Sequence, residues 1–449
     1  MKRKIVLLAG FLSFIAIWWF RYYGLWKTNP SGSNQKITIE FLNWESTPEG
    51  SKFLNNLIRQ FESKNPGIKV KNVVITKDYN RVLLTRFASG SPPDIFEIQA
   101  EIIHPFLKKN LLLNLSPLVK KSKVLKEKDF FPLSLINFRY DGKNFRQGDL
   151  YGFPKDWGTG VLIYNKDLFD KEGLSYPDGS WGEEEYLEAA IRLTKRDHSG
   201  RLIQVGIERP VHPFYTLLQK GGRIWSQDYK ECLLNSQAAR EAFQFDYDLK
   251  EKYRVALREQ EIKEGLTESF GFKAGKAGMS LAWRYELPDM IKHIKYFRWD
   301  VAPLPVIGEK RVQLMHGPSG WAISAKTKYP EAAFKFLEFL AGKEGQIETA
   351  KLGWNIPSNR EIAYSHFFLK NLRREDSERI NRVFLDAIDY LDPSLLNPYL
   401  PLSRFYDILN SELDPEVITR KYGRKVAPAL ERAVERINKE IEENLEENL

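Results

Sequence analysis

The stretch KITIEFLNW, residues 36–44, alternates apolar and polar side chains as a half-buried β-strand does. Residues 48–64 follow with the apolar periodicity of an amphipathic helix. A second apolar run at 67–74 and a helical pattern at 79–87 come next, and SGSPPDIF, residues 89–96, leads into a third predicted strand. Because strands alternate with helices, this opening predicts an α/β fold built on a sheet.

Composition narrows the classes of protein that the chain can be. Its 449 residues, 43% of them hydrophobic, allow two or three domains. The 68 basic and 59 acidic residues interleave along the chain, so the net charge of +9 predicts no nucleic-acid partner. The single cysteine, Cys232, excludes an intramolecular disulfide, and the dispersed histidines predict no metal and no cofactor. Eleven tryptophans fit a protein that presents flat apolar faces to a ligand, or a Trp-rich core.

The N-terminal segment has the layout of an export signal. Basic residues at 2–4 precede an apolar run at 5–20. An aromatic cluster at 18–26 follows without a small-residue cleavage site, which favours an uncleaved membrane anchor over a cleaved signal peptide. Residues 27–36 then read as a flexible tether. We therefore predict an extracytoplasmic protein, at the outer face of the cytoplasmic membrane or in the periplasm, with residues 1–36 as signal or anchor and tether.

Several later segments together resemble the family 1 extracellular solute-binding proteins, which include the maltose-binding proteins. The most specific is PKDWGTGVLIYNKDLFDK, residues 154–171, around its Tyr-Asn-Lys core. Lys155 departs from the family pattern, which has an apolar residue there. The other matching segments are FESKNPGIKV (61–70), FASGSPPDIF (87–96), FKAGKAGMSLAW (272–283), WDVAPLP (299–305), GPSGWAIS (317–324) and GWNIPS (353–358).

The resemblance implies the type II periplasmic-binding-protein fold, in which two α/β lobes are joined by hinge crossings. The ligand of such a protein lies in the cleft between the lobes. On this basis we expect residues 37–150 and 304–365 in lobe one, residues 151–303 and 366–449 in lobe two, and crossings near 149–153 and 302–305.

The residue types needed to hold a sugar point to the ends of the predicted strands. A sugar offers an apolar C–H face and a rim of hydroxyls, so its site needs aromatic platforms and side chains that can donate and accept. Trp44 ends the first predicted strand, beside Asn43 and Glu45, where an α/β sheet places its ligands. Gln99 and Glu101 follow the third strand. The alternative for Trp44 is that it merely caps the sheet.

Further candidates follow from the resemblance. Asp156, Trp157 and Thr159 come just after the first expected crossing, and Trp157 is expected to be a second platform. Trp283 with Arg284 stands where the family commonly stacks an aromatic ring on the sugar, although burial in the core is the alternative.

Four residues nearer the C-terminus complete the expected site. Ser319 and Trp321 belong to a tight loop that could bring backbone amides to the ligand. Phe405 and Tyr406 are expected to close the far side.

The function that the resemblance implies is binding without catalysis. A monomer would bind a sugar or oligosaccharide and deliver it to the permease subunits of an ATP-binding-cassette (ABC) importer. A membrane-anchored sensor or scaffold with the same clamp is one alternative. An exported glycoside hydrolase is another, but the acidic residues at 183–185 and at Glu338 fall on predicted exposed helix faces, and no Ser-His-Asp, GxSxG or phosphate-loop motif occurs.

Overall fold

The computed structural model describes residues 36–263 and 265–446. Its strands are β1 (Ile37–Asn43), β2 (Ile68–Val74), β3 (Ile95–Gln99), β4 (Arg139–Tyr140), β5 (Asp149–Leu150), β6 (Gly152–Gly158), β7 (Gly160–Asn165), β8 (Lys195–Arg196), β9 (Leu202–Ile207), β10 (Ala277–Trp283), β11 (Trp299–Ala302), β12 (Gln313–Leu314), β13 (His316–Ile323), β14 (Ile356–Pro357) and β15 (Leu391–Asp392).

Helices connect and cover these strands. They are α1 (Pro48–Lys64), α2 (Tyr79–Ala88), α3 (Ile103–Lys108), α4 (Ser116–Lys121), α5 (Pro132–Ile136), α6 (Lys166–Glu172), α7 (Glu183–Leu193), α8 (Pro213–Gln219), α9 (Gln237–Glu251), α10 (Glu259–Lys263), α11 (Leu266–Phe270), α12 (Leu287–His293), α13 (Pro330–Ala341), α14 (Lys343–Leu352), α15 (Arg360–Ala363), α16 (His366–Leu369), α17 (Ser377–Asp386), α18 (Leu402–Glu412), α19 (Pro415–Tyr422) and α20 (Ala427–Glu446). Short 3-10 helices lie at Glu127–Asp129, Phe272–Ala274, Arg284–Glu286 and Ala387–Tyr390.

The larger sheet has six strands in the order β14-β6-β13-β3-β1-β2. β1 runs parallel to both β2 and β3, and α1 and α2 form the crossovers between them. The predicted alternation of strand and helix over residues 36–96 is therefore confirmed. β13 is antiparallel to both of its neighbours, β3 and β6.

The smaller sheet has five strands in the order β11-β7-β10-β9-β8. β7 is antiparallel to β10 and β11, whereas β9 is parallel to β10. The C-terminal helix α20 packs Leu430 and Ile437 into the same core as Tyr186 and Phe214. The end of the chain thus stabilises the unit built on the smaller sheet.

The chain passes from the larger sheet to the smaller one at Thr159, between β6 and β7. The resemblance predicts this crossing near 149–153. The physical reason for the difference is that β6 pairs with both β13 and β14, so all of its residues are buried inside the larger sheet. The return falls between β11 and β13.

Besides the core of each sheet, a separate hydrophobic cluster joins the two sheets. It contains Trp157 of β6, Ile163 of β7, Ile356 of β14 and Phe384 of α17. Burying a large apolar side chain of this kind contributes about 1.5–3 kcal/mol. The two sheets are thus connected through a packed core as well as through the chain crossings.

Within residues 36–263 and 265–446, no helix is both long enough and apolar enough to cross a bilayer. The expected anchor at residues 1–26 lies outside the described part of the chain.

Candidate functional site

The candidate site is a cavity of about 380 Å³ bounded by strand ends of both sheets. The loop after α14 and the first half of β13 complete it. Its lining residues are Trp44, Glu45, Gln99, Glu101, Lys155, Asp156, Gly158, Trp283, Tyr285, Gly317, Ser319, Trp354 and Asn355.

The topology of the larger sheet explains why these polar residues meet. β1 and β3 are parallel, so their carboxyl ends bring residues 44–45 and 99–101 to one edge. β13 runs the opposite way, and an irregularity in its register places Ser319 opposite both Gln99 and Asp156. The Ser319 hydroxyl donates to Asp156 Oδ1 at 2.8 Å. Three strands therefore align three polar side chains along the cavity.

A buried cluster of charges, which we call the acidic wall, consists of Glu45, Glu97, Lys155 and Asp156. The Lys155 ammonium donates to Glu45 Oε1 at 2.7 Å and to Glu97 Oε1 at 3.0 Å. Its Nζ lies 3.8 Å from Asp156 Oδ2. All four side chains are more than nine-tenths buried. One cation is thus shared by three carboxylates in a region of low dielectric constant.

Burial and mutual charge set the protonation of the acidic wall. Burial raises the pKa of Glu97 to about 7, the positive charge of Lys155 opposes this rise, and the negative charge of Glu45 adds to it. Burial also raises the pKa of Asp156, again against the effect of Lys155. Burial alone would lower the pKa of Lys155, but the surrounding carboxylates outweigh it and raise that pKa. Lys155 therefore remains charged at neutral pH.

Trp44 stands over the acidic wall. Its ring packs edge-on against Tyr79, with centroids 4.9 Å apart, and Lys155 Nζ lies 5.5 Å from the Trp44 ring centroid. The backbone N–H of Trp44 donates to Glu97 Oε2 at 3.2 Å. The Tyr79 hydroxyl is fixed by hydrogen bonds to the carbonyl oxygens of Leu42 and Glu97. These contacts hold the indole in one orientation at the cavity.

The opposite side, which we call the aromatic wall, consists of Trp283 and Tyr285 with the ion pair Arg209–Glu286. The two rings are nearly parallel, 8° apart, with centroids separated by 6.4 Å. Arg209 lies 5.1 Å from the Trp283 ring and forms a bidentate pair with Glu286 at 2.9 and 3.0 Å. Glu286 also accepts from the Trp283 backbone N–H at 2.9 Å. This wall is apolar apart from a pair of compensating charges.

Arg284, expected to contact the ligand, is instead fully buried beneath the cavity. It donates to Gly353 O at 2.6 Å and to the side chains of Asn371 and Asn381 at 2.7 and 2.8 Å. Burial lowers its pKa to about 9. Gly353 ends α14 in the left-handed conformation, at φ 75°, and leads directly to Trp354. Arg284 therefore positions the loop that carries Trp354.

Three more expected contacts lie in the protein interior. Trp157 is fully buried and packs on Phe131, with ring centroids 5.1 Å apart. The Thr159 hydroxyl donates to Phe384 O at 2.8 Å. Trp321 belongs to the core of the larger sheet. Trp157 and Thr159 were expected at the edge of lobe two, but β6 continues through Gly158, so this segment is still covered on both sides.

The remaining expected residues also lie outside this cavity. The buried Asn43 amide donates to Asn72 and accepts from the Glu45 backbone N–H, so it shapes the turn after β1. Phe405 stacks on Phe214 in the core, with centroids 5.7 Å apart. Tyr406 lines a second cavity of about 520 Å³, which Trp283 also borders. The structure brings seven expected residues to the first cavity: Trp44, Glu45, Gln99, Glu101, Asp156, Trp283 and Ser319.

Sequence reasoning missed Lys155, Tyr285, Trp354 and Asn355 as residues of the cavity. Two signals were available. Lys155 departs from the pattern of the segment it belongs to, and the GWNIPS segment contains an aromatic residue beside an amide. In the described part of the chain, no group of three or more His, Cys, Asp or Glu side chains is placed to hold a metal ion.

Residues 44–347, more than half of the chain, match the family described as bacterial extracellular solute-binding protein. The chain belongs to this family. This solute-binding protein is 21% identical over 390 residues to the arabinooligosaccharide-binding protein of Bacillus subtilis (strain 168), an alignment that covers 82% of this chain and 84% of the relative. An extracytoplasmic location follows from membership of an extracellular family. The members of the family and the relatives named here are binding proteins.

Two solved structures confirm the two-lobed fold. An ABC substrate-binding protein from Listeria monocytogenes in complex with cycloalternan superposes with a TM-score of 0.74 at 26% identity, over 90% of this chain and 99% of that one. The maltose/maltodextrin-binding domain from Bdellovibrio bacteriovorus bound to maltotriose gives a TM-score of 0.67 at 20% identity, over 91% of this chain and 100% of that one.

Proposed function

We propose that this protein binds a sugar or oligosaccharide in the cavity and, as a monomer, delivers it unchanged to the permease subunits of an ABC importer. The observation that carries the proposal is the pairing of aromatic rings with hydrogen-bonding groups in one cavity. Trp44, Trp283 and Trp354 offer flat faces for sugar C–H groups, while carboxylates and amides lie beside them. The sugars named for the relatives support the same class of ligand.

We further propose that the ligand bridges two lobes that follow the two sheets, and that it shifts the population toward a closed form. Lobe one would hold Trp44, Glu45, Gln99, Glu101, Asp156 and Ser319, and lobe two would hold Trp283. The rest of the lobe boundaries stay as expected from the resemblance, with the first crossing moved to Thr159.

The direct test is a thermal-shift screen of residues 33–449 against mono- and oligosaccharides. A ligand that binds only the folded state stabilises it by mass action and so raises the melting temperature. At a ligand concentration of about a hundred times Kd, the free energy of unfolding rises by about 2.7 kcal/mol. Polyols and amino acids serve as non-sugar controls. A shift produced by a non-sugar solute and by no carbohydrate would contradict the proposal.

Binding without chemistry has its own test. After prolonged incubation of a bound oligosaccharide with homogeneous protein, chromatography should recover the ligand intact. Detectable hydrolysis of the oligosaccharide would contradict this part of the proposal and would indicate a glycoside hydrolase.

The membrane anchor is the remaining proposal. The basic, apolar and aromatic order of residues 2–26 favours retention of this segment and association with the membrane. Mass spectrometry of the native protein should therefore find residues 1–26 still attached. A mature N-terminus between residues 24 and 34 would instead mean a freely diffusing binding protein.

A further inference from the structure

Carboxyl groups outnumber cationic groups around the cavity. Among the described residues, Glu45, Glu101 and Asp156 line it together with Lys155, and Glu97 contacts Lys155 from behind. Arg209, beside Trp283, is neutralised by its bidentate pair with Glu286. Arg284 lies below the Trp354 loop and bonds neutral acceptors. Apart from the Arg209–Glu286 pair, the two cationic groups Lys155 and Arg284 are therefore outnumbered by the four carboxyl groups of Glu45, Glu97, Glu101 and Asp156.

Glu101 is the carboxylate that the surrounding protein leaves least satisfied. Its Oε2 atom is inaccessible to solvent and accepts no hydrogen bond from the described residues. Burial raises the pKa of this carboxyl, and backbone N–H groups at Glu101 and Gly317 only partly oppose the rise. Asn355 Oδ1, in the same cavity, is a second buried acceptor without a donor in the described part of the chain. A buried acceptor of this kind destabilises the protein until a donor reaches it.

Glu101 lies directly against a glycine. A Cβ atom on Gly317 would overlap the Glu101 carboxylate and displace it, so glycine at 317 leaves room for the carboxylate in this position. The negative charge of Glu101 also reaches Tyr406 on α18, where burial and that charge together raise the pKa of the phenol to about 12. Glu101 therefore stands between the larger sheet and the helices that pack on the smaller one.

Lys155 cannot compensate Glu101, because it is already shared by Glu45 and Glu97 at 2.7 and 3.0 Å. A ligand hydroxyl would supply one donor but no charge. A protonated amine supplies three donors and one positive charge, which suits a cavity with unfilled acceptors and excess carboxylate. The cost of burying Glu101 in its ionised form falls when a cation is buried with it.

We propose that the natural ligand is an amine-bearing carbohydrate, a protonated amino sugar or an oligosaccharide that contains one, and that Glu101 receives its ammonium group. This inference rests on the proposed function and specifies the ligand class. Trp44 and Trp283 pack on the sugar rings while Glu101 selects the charged substituent.

The test is isothermal titration with matched sets in which one substituent changes. Glucosamine, galactosamine and mannosamine are each compared with the parent sugar and with its N-acetyl form. In the same way, β-1,4-linked glucosamine oligomers are compared with N-acetylglucosamine oligomers and with glucose oligomers of equal length. An amine-bearing member should bind on the order of ten- to hundredfold more tightly than its neutral partners at about pH 7. Glu101→Gln should abolish that preference.

Two controls separate binding from folding. Glu101→Gln keeps the shape of the side chain and removes a buried charge, so it should keep or raise the melting temperature of the free protein. Glu188→Gln removes an exposed carboxylate that lies 3.7 Å from Arg192 and should leave the amine preference intact.

Several outcomes would overturn the inference. They are equal or tighter binding of the neutral partners, an amine preference that survives Glu101→Gln, and no binding by any amine-bearing member. If neutral sugars bind while amines do not, the proposed function stands without this inference. If no carbohydrate binds at all, both fail.

Discussion

The acidic wall and the aromatic wall face the same cavity but are built in opposite ways. The acidic wall holds four ionisable groups with at least nine-tenths of each side chain buried, and they depend on one another for charge compensation. The aromatic wall has a half-exposed Tyr285, a partly buried Trp283 and the ion pair Arg209–Glu286, whose two charges compensate each other. We infer that the acidic wall contributes to folding as well as to recognition, whereas the aromatic wall mainly supplies contact area. Substitutions in the first should change stability, and those in the second should change affinity.

Lys155→Met gives the largest expected effect. It leaves Glu45, Glu97 and Asp156 buried without their shared cation, and removal of one partner from a buried pair costs about 3–5 kcal/mol. Urea unfolding should show this loss, and the loss should be smaller at about pH 5 than at about pH 8, because protonation relieves the carboxylates.

The matched control for Lys155→Met is Lys343→Met, which breaks the exposed pair with Glu361 and should cost less than about 1 kcal/mol. If the two variants lose equal stability, the acidic wall does not contribute to folding as proposed.

Trp283→Ala tests the aromatic wall. Loss of its apolar contact with a ligand should remove about 1–3 kcal/mol of binding energy, on the order of a five- to hundredfold loss of affinity by titration. Tyr296→Ala, an aromatic residue that is 65% exposed, is the control and should bind normally. A folded Trp283→Ala protein with unchanged affinity would exclude this ring as a platform.

The pH dependence of stability should distinguish Glu97 from the rest of the acidic wall. Burial raises the pKa of Glu97 in the folded protein to about 7, above its ordinary 4.5. The stabilisation that protonated Glu97 gives the folded state is therefore fully present below about pH 4.5 and is lost as the pH rises through about 7. The stability of the native protein relative to Glu97→Gln should therefore fall by about 1–3 kcal/mol from about pH 5 to about pH 8. A difference that is constant over this range would contradict the assignment.

Arg209→Lys should have the smallest effect. Lysine cannot keep the bidentate geometry with Glu286 that supports Trp283, so affinity should fall two- to fivefold, about 0.5–1 kcal/mol, with little loss of stability. Arg382→Lys, in an exposed pair with Glu378, is the control by titration. Equal effects of the two changes would mean that Arg209 does not position the platform.

Two tryptophans show which residues of the site the sequence could predict and which it could not. Trp44 follows a strand whose end could be located from alternation alone, and it lines the cavity as expected. Trp157 was placed at the cavity because the crossing was expected before it. The strand pairs of β6 extend to Gly158, and helices near Phe384 cover Trp157. The pairing partners of β6 lie more than a hundred residues downstream, and local pattern gives no information about them.

The sequence by itself determined the alternation of strands and helices and the family resemblance, because each depends on local periodicity or on short ordered segments. Only the tertiary structure decided that Lys155 is shared by Glu45 and Glu97, that Arg284 supports the Trp354 loop, and that Glu101 Oε2 accepts no hydrogen bond from the described residues. These facts depend on contacts between strands and loops that are distant in the chain. Burial then turns such contacts into shifts of pKa and charge that no single segment contains.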